Sequence, residues 1–107
     1  MMNKLERMVG LATRAGKVAF GSEMSVEAVR RGRAFVVLLA NDASDRTKKL
    51  IRNKCASFGV RLLEYGSKSE LGKITGKNNV SALAVLDREF ANAVWRNYGG
   101  VINGESD

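Results

Sequence analysis

The segment from Tyr65 to Lys77, YGSKSELGKITGK, combines three glycines with three lysines around a short apolar pattern. Loops of this composition commonly hold phosphate, because glycine lets backbone N–H groups approach an anion and lysine supplies charge. A nucleotide-binding P-loop has the pattern G-x4-G-K followed by Ser or Thr. Here three residues separate Gly72 from Gly76, and Asn78 stands in place of the hydroxyl residue that would hold magnesium. The dinucleotide pattern G-x-G-x-x-G is also missing. The segment therefore argues against a nucleotide and leaves nucleic acid as the source of phosphate.

Catalytic chemistry has few candidates in this sequence. The chain contains no histidine and a single cysteine, Cys55, so the commonest general base is missing and no zinc site of the usual kind can be assembled. Asp42 and Asp45 bracket a predicted helix start, where carboxylates stabilise the positive end of the helix dipole. The serines have no base beside them that would activate a nucleophile. We therefore expect a non-enzymatic protein without a metal or another cofactor.

The charge of the chain indicates a polyanionic partner. Its 107 residues carry a net charge of +7. Residues 1–33 have seven Lys or Arg against three Glu, whereas residues 87–107 have two against four acids. A small basic domain of this kind is typical of nucleic-acid binding. The other interpretation is a soluble protein whose surface is merely biased towards positive charge.

The sequence also predicts a cytoplasmic protein that does not contact a membrane. Its longest apolar run, AFVVLLA, is much shorter than the ~18 residues of a membrane span. Charged residues at positions 4, 6 and 7 interrupt any signal-peptide apolar region. A lone cysteine cannot form an internal disulfide, which suits a reducing compartment.

Helical periodicity and capping residues predict five helices. They lie in NKLERMVGLATRAG, GSEMSVEAVRRG, NDASDRTKKLIRNKCASFG and SKSELGKITG, with a last helix that Asp87 caps. Other side-chain caps are expected at Ser22, at Ser44, and at Ser67, which stands at capping-box spacing from Glu70. The residues expected on the inner helix faces are Leu5, Met8, Val9, Ala12, Val26, Val29, Leu50, Ile51, Cys55, Phe58, Phe90, Val94 and Trp95.

Short apolar segments between these helices are predicted strands. AFVVLLA and VSALAVLD are typical of central strands buried on both faces, and KVAF and VRLLEY of shorter strands. The alternation of helices and strands predicts an α/β fold, a three-layer α/β/α sandwich around a small mixed sheet of four to five strands. We expect residues 1–97 to form a single domain and residues 98–107 to form a loosely ordered tail.

Two predicted helix starts, GSEM and GSKSELG, are suited to bind phosphate through their backbone N–H groups. Basic residues flank both starts: Arg14 and Lys17 precede the first, and Lys68, Lys73 and Lys77 lie in or after the second. The element order allows both starts to lie at the same edge of the sandwich. The few aromatic residues fall mostly on predicted inner faces, which argues against a sheet surface that stacks bases.

An ordered set of motifs gives the chain a family resemblance. VGLATRAGK, LLANDAS, TKKLIRNKC and LGKITG, in this order, resemble segments of the ribosomal protein L7Ae/L30e family, and more closely its small bacterial, YlxQ-like members. The resemblance covers roughly residues 4 to 96. It implies a ribosomal type of protein that binds RNA kink-turns, whose sheared G·A pairs expose base edges.

The family's kink-turn motif, approximately G-[ST]-N-E-x-[TV]-K, falls at the start of the second predicted helix. Gly21 and Ser22 match its first two positions, whereas Glu23, Met24 and Glu27 stand where the family has Asn, Glu and Lys. A methionine cannot accept the hydrogen bonds that read base edges, and a carboxylate at position 27 repels phosphate where lysine attracts it. The resemblance thus implies RNA-binding positions here, with weakened kink-turn contacts.

A second family motif, S-K-x-x-L-G, is matched intact by Ser67, Lys68, Leu71 and Gly72. In the family this loop packs against a base extruded from the kink. Leu71 has two open interpretations, because a core leucine would be buried and a base-packing leucine partly exposed. The resemblance also places Asn41 and Asp42 in the turn after the central strand, beside the first motif.

Together these observations predict a cytoplasmic, monomeric protein that binds structured RNA through two adjacent helix starts, without DNA specificity. Ribosomal RNA or another kink-turn RNA is the expected partner. The alternative is a protein-interaction module of the same fold that has lost kink-turn specificity and docks on ribosomal or transcription partners. Met24 and Glu27 favour that alternative. The cluster Arg30, Arg31 and Arg33 at a predicted helix end is equally well explained by the helix dipole.

Overall fold

A computed structural model describes residues 2–102 of the chain. Over these residues helices and strands alternate, as the sequence predicts. In chain order the elements are α1 (Lys4–Arg14), β1 (Val18–Phe20), α2 (Ser22–Arg30), β2 (Val36–Leu39), α3 (Asp45–Phe58), β3 (Arg61–Glu64), α4 (Lys68–Thr75), β4 (Ala82–Val85) and α5 (Arg88–Ile102).

The four strands form one mixed sheet in the order β1-β4-β2-β3. β2 and β3 are parallel, and β4 runs antiparallel to both of its neighbours, β1 and β2. Every residue of β2 and β4 is buried, which confirms the two predicted central strands. Helices α1, α4 and α5 pack together on one face, and α2 and α3 pack together on the other. The three-layer α/β/α sandwich is therefore confirmed.

Local capping signals explain most of the helix boundaries. The Ser44 hydroxyl accepts a hydrogen bond from Thr47 N at 3.1 Å, and α3 ends at Gly59, whose φ of 67° is left-handed. The carboxylate of Asp87 accepts a hydrogen bond from Phe90 N at 3.0 Å at the start of α5. These caps confirm the corresponding sequence predictions, because each satisfies a backbone N–H that a helix start leaves without a partner.

Three side chains predicted on inner helix faces are instead exposed. Phe58 is 51% exposed, Trp95 39% and Leu50 38%, whereas Ile51 and Cys55 on the same helix as Phe58 are buried. Periodicity identifies the direction of a helix face but not where the neighbouring layer ends. Phe58 is the last residue of α3 and lies at the rim of the sandwich, so the apolar stripe continues past its packing partners.

The C-terminal boundary also differs from the prediction. Helix α5 continues to Ile102, so residues 98–102 are helical and the expected loose tail does not begin at residue 98. The rest of that predicted tail, residues 103–107, lies outside the described residues. Within the described chain, no helix combines the length and the apolar character that crossing a bilayer requires.

Candidate nucleic-acid interface

The strand directions bring four chain segments together at one edge of the sheet. β1, β2 and β3 run the same way, so their carboxyl ends meet the amino end of the antiparallel β4. We call this the carboxyl edge and define it as residues 21–24, 40–42, 65–68 and 77–81. Backbone hydrogen bonds join the segments: Gly21 N to Ala82 O at 2.8 Å, Ala40 N to Ser81 O at 2.9 Å, Tyr65 N to Leu39 O at 3.0 Å and Asn41 N to Gly66 O at 2.7 Å.

Helix α2 begins at the carboxyl edge, and no side chain among residues 2–102 caps its start. Gly21 is its N-cap residue, with φ 91° and ψ 162°, and Ser22 is already the first helical residue. The prediction that Ser22 caps this helix is therefore wrong. The cap position falls on Gly21, because the sharp turn out of β1 requires a backbone conformation that essentially only glycine adopts. The first N–H groups of α2, from Ser22 to Met24, have no intrahelical acceptor and lie at the positive end of the helix dipole. Such a helix start is suited to bind an anion.

Helix α4 also begins at this edge, but its start is closed by its own side chains. Ser67 Oγ accepts a hydrogen bond from Glu70 N at 3.0 Å, and Glu70 Oε1 accepts one from Ser67 N at 2.8 Å. Asp42 Oδ1 accepts a third from Lys68 N at 2.8 Å. The predicted capping box is confirmed, and it leaves these amide groups committed. Of the two helix starts that were expected to bind phosphate, the start of α4 thus has side-chain acceptors for three N–H groups, whereas side chains of the described residues cap none at the start of α2.

Leu71 and Gly72 have structural roles in this arrangement. Leu71 is fully buried, so it belongs to the core and does not present its side chain to a base. Gly72 is buried too, and a Cβ at this position would lie 2.7 Å from the Asn78 carbonyl carbon and 2.8 Å from Lys77 O. The glycine lets the loop of residues 77–80 pack directly against α4. The expected place of these two residues at an RNA surface is therefore wrong. Leu71 packs in the core, and Gly72 allows the loop to lie against α4.

That loop brings Lys77, which the sequence placed only after the second helix start, and two asparagines without a predicted role to the carboxyl edge. Lys77 N donates a hydrogen bond to Gly72 O at 2.8 Å, and Lys77 Nζ lies 4.8 Å from the centre of the Phe20 ring, next to Gly21. Asn78 and Asn79 are exposed beside it. The signal available in the sequence was Gly76, a typical helix end, followed by polar residues before the next apolar run.

Arg14 and Lys17 lie away from the carboxyl edge, although they precede Gly21 closely in the sequence. Lys17 O accepts a hydrogen bond from Leu86 N at 2.8 Å, at the far end of the β1–β4 pair. Arg14 lines a cleft between α1 and the end of α4. Strand β1 separates Lys17 from the α2 start, so its predicted place beside that start is wrong, and Arg14 faces α4 instead of α2.

The exposed face of α2 has mixed charge. Glu23 and Met24 are exposed in its first turn, and Met24 is 58% exposed. Glu27 forms an ion pair with Arg31 at 2.8 Å. The hydrogen bond from Arg31 and its positive charge lower the pKa of Glu27, so the carboxylate stays ionised but has a cation one turn away. The arginine reduces the repulsion that Glu27 would exert on a nearby phosphate.

Comparison with known proteins identifies the family. Residues 3–94 match the model of the Ribosomal protein L7Ae/L30e/S12e/Gadd45 family. The chain belongs to this family. The match confirms the resemblance seen in the ordered motifs.

Three individual proteins illustrate the similarity within this family. The chain is 39% identical over 85 residues to the RNA-binding protein YlxQ of Bacillus subtilis (strain 168), covering 79% of this chain and 85% of that protein. It is 37% identical over 78 residues to the large ribosomal subunit protein eL30 of Methanosarcina mazei, covering 71% of this chain and 72% of that protein. A solved structure of a protein of unknown function from Bacillus halodurans C superimposes with a TM-score of 0.86 at 32% identity, over 89% of this chain and 96% of that one.

Proposed function

We propose that this protein binds structured RNA at the carboxyl edge and does so without catalysis. The observation that carries the proposal is the uncapped start of α2, which lies beside Lys77 and the exposed Asn41 in a member of the L7Ae/L30e family. Relatives at 35–39% identity are RNA-binding and ribosomal proteins by name, which supports the same partner class. The net charge of +7 adds long-range attraction to a polyanion.

The residues of the edge divide into contacting and supporting groups. The N–H groups of Ser22, Glu23 and Met24 and the ammonium group of Lys77 bind phosphate oxygens, since both supply donors with positive potential. The side chains of Glu23 and Asn41 are exposed and offer acceptors and a donor to base edges. The supporting residues do not contact RNA but hold the start of α4 and the loop of residues 77–80 in place: Asp42, Ser67, Leu71 and Gly72.

A kink-turn-like bend is the target that we propose within this class. In such a bend the sheared G·A pairs expose guanine and adenine edges beside a sharply turned backbone. Met24 cannot accept a hydrogen bond from them, so discrimination rests on Glu23 and Asn41. One lost charge-assisted contact costs about 1.5–3 kcal/mol, or roughly ten- to hundredfold in affinity. We therefore expect a preference for the bend that is real but smaller than a full Asn/Glu pair would give.

The wider setting is proposed on the same basis. A cytoplasmic monomer that associates with ribosomal RNA, or with another RNA containing such a bend, fits the family and the single small domain. No DNA specificity is expected. Sedimentation of the free protein and of its RNA complex measures the stoichiometry directly.

The test is a titration of the protein against a kink-turn RNA and a matched duplex in which G·A pairs are replaced by Watson–Crick pairs. Both are measured at low and at physiological salt. Lys77→Gln is expected to weaken binding to the kink-turn RNA about tenfold or more and to reduce the salt slope by about 0.7–0.9. Glu27→Lys is expected to strengthen binding, because it replaces repulsion by attraction.

Lys17→Gln is the matched control, since it removes the same charge at the opposite end of β1. It should leave the affinity for the short kink-turn RNA unchanged. Equal weak binding to both RNAs, insensitive to Lys77→Gln, would contradict the proposal and direct the search to protein partners of the same surface. A loss caused by Lys17→Gln but not by Lys77→Gln would place the RNA at the wrong end of the sheet.

A further inference from the structure

The end of the sheet opposite the carboxyl edge carries a second surface with a distinctive composition. It is formed where α2 and α3 end, where β2 and β3 begin and where α5 begins. Arg30, Arg61 and Arg88 surround Phe35 and Phe58 here, around an open cleft of about 440 Å³. We call these five residues the arginine–aromatic patch.

Aromatic rings are exposed or stacked under guanidinium groups throughout the patch. Phe58 is 51% exposed, so half of its surface is open to solvent. The Arg88 guanidinium lies 5.2 Å from the centre of the Phe35 ring, and that of Arg61 lies 4.7 Å from the centre of the neighbouring Trp95 ring. Arg61 Nη1 also donates a 3.4 Å hydrogen bond to Asn92 Oδ1. These contacts orient two planar cations before any ligand arrives.

Helix stability accounts for only one of these three arginines. A cation at the C-terminal end of a helix is favourable, which covers Arg30 in the last turn of α2. Arg88 is the first residue of α5, where the helix dipole disfavours positive charge, and Arg61 begins a strand. Among residues 2–102, none of the three forms an ion pair with a carboxylate. Their charges are therefore available to an anionic ligand.

We propose that the arginine–aromatic patch is a separate binding site for single-stranded RNA. Single strands are held by basic grooves in which bases stack on aromatic rings and on arginine planes, and the stacking tolerates any base sequence. The exposed Phe58 ring supplies the stacking surface. Arg30, Arg61 and Arg88 supply the phosphate contacts, for which the forked guanidinium is better suited than lysine.

The patch and the carboxyl edge lie at opposite ends of the same strands. β2 alone spans four residues, Val36–Leu39, so roughly 10–13 Å of buried strand separates its two ends. One protein molecule can therefore hold a bent duplex at one end and an unpaired strand at the other. The single-stranded site does not depend on RNA binding at the carboxyl edge.

Trp95 provides a local probe of the patch. It is the only tryptophan in the chain, it is 39% exposed, and its ring contacts Arg61. Titrating the full-length protein with a short unstructured polyuridine RNA should quench its fluorescence in a saturable way. Phe58→Ser and Arg88→Gln should each weaken this binding about tenfold, since stacking and charged contacts have energies of that size. Arg46→Gln, an exposed arginine at the start of α3, is the charge-matched control and should leave it unchanged.

Two further measurements distinguish RNA binding at this patch from binding at the carboxyl edge and from binding of other anionic ligands. Saturation with kink-turn RNA and the variant Lys77→Gln should both leave polyuridine binding unchanged. Competition by kink-turn RNA, or an affinity insensitive to Phe58→Ser and Arg88→Gln, would overturn the proposal. Equally tight binding of polyglutamate would overturn it as well, because the patch would then recognise an acidic protein segment. If Lys77→Gln has no effect on kink-turn RNA while polyuridine binding behaves as described, only the function proposed for the carboxyl edge fails.

Discussion

Replacing Gly72 by alanine perturbs the loop that carries Lys77 without touching an exposed side chain. The new Cβ would lie 2.7 Å from the Asn78 carbonyl carbon and 2.8 Å from Lys77 O, which are backbone atoms and cannot rotate away. Overpacking of this kind costs about 3 kcal/mol at the upper end of the usual range. Alanine gains about 1 kcal/mol of helix propensity over glycine. We therefore expect a net loss of about 2 kcal/mol in the free energy of unfolding.

Urea denaturation followed by circular dichroism measures this loss, and Gly99→Ala provides the control. Gly99 is also inside a helix, α5, but a Cβ there would meet no atom of the described residues within 4 Å. Only the propensity gain applies, so Gly99→Ala should stabilise the protein by up to about 1 kcal/mol. The same chemical change is thus expected to act in opposite directions at the two positions.

The Gly72 variant should also bind kink-turn RNA less tightly than wild type under conditions where both are folded. The shifted loop moves Lys77 away from the Phe20 ring and from the start of α2. A Gly72→Ala protein as stable as the Gly99→Ala protein, with unaltered RNA affinity, would refute the close packing of the loop against α4 and its role in placing Lys77.

Three other changes follow from the same geometry. Gly21→Ala should destabilise by about 1–3 kcal/mol in the same urea assay, because φ 91° with ψ 162° strains any side chain even though the space is open. Ser25→Ala should keep or raise stability, by up to about 1 kcal/mol, because Ser25 Oγ is buried without a hydrogen-bond partner within residues 2–102; a clear loss would mean that the hydroxyl is satisfied. Burial raises the pKa of Cys55 to about 11 from its usual 9.0. The folded state therefore retains the thiol proton. The stability advantage of the wild-type protein over Cys55→Ala should be complete below pH 9 and should fall by about 2–3 kcal/mol as the pH rises towards 11. A pH-independent difference would contradict the burial of Cys55.

The sequence predicted the order of elements well because the strongest signals are local. The runs containing β2 and β4 are apolar on both faces, and the glycine and serine caps of α3 and the capping box of α4 depend on residues within one helical turn. The resemblance placed Gly21, Ser22, Asn41 and Asp42 at one edge, where the structure also has them.

The remaining features of the fold and site depend on packing between segments that are distant in sequence. The hydrophobic periodicity of one segment gives no information about such packing. Asp42 closes the start of α4 through a contact across 26 positions of sequence, and nothing local to either residue indicates it. Lys17 and Gly21 are four positions apart in the chain, yet they lie at opposite ends of β1 because an extended strand separates them. Phe58 extends the apolar stripe of α3 past the residues on which that stripe packs, so its ring is exposed.

In the function proposed above, RNA approaches the open start of α2 and not the closed start of α4. The most direct test is a two-dimensional NMR titration of backbone amides with kink-turn RNA. The N–H signals of Ser22, Glu23 and Met24 should shift strongly downfield as they acquire phosphate acceptors. Those of Lys68 and Glu70 should move little, because their hydrogen bonds to Asp42 and Ser67 are already made. Large shifts confined to the outer face of α3, with the amides of residues 22–24 unmoved, would contradict the account.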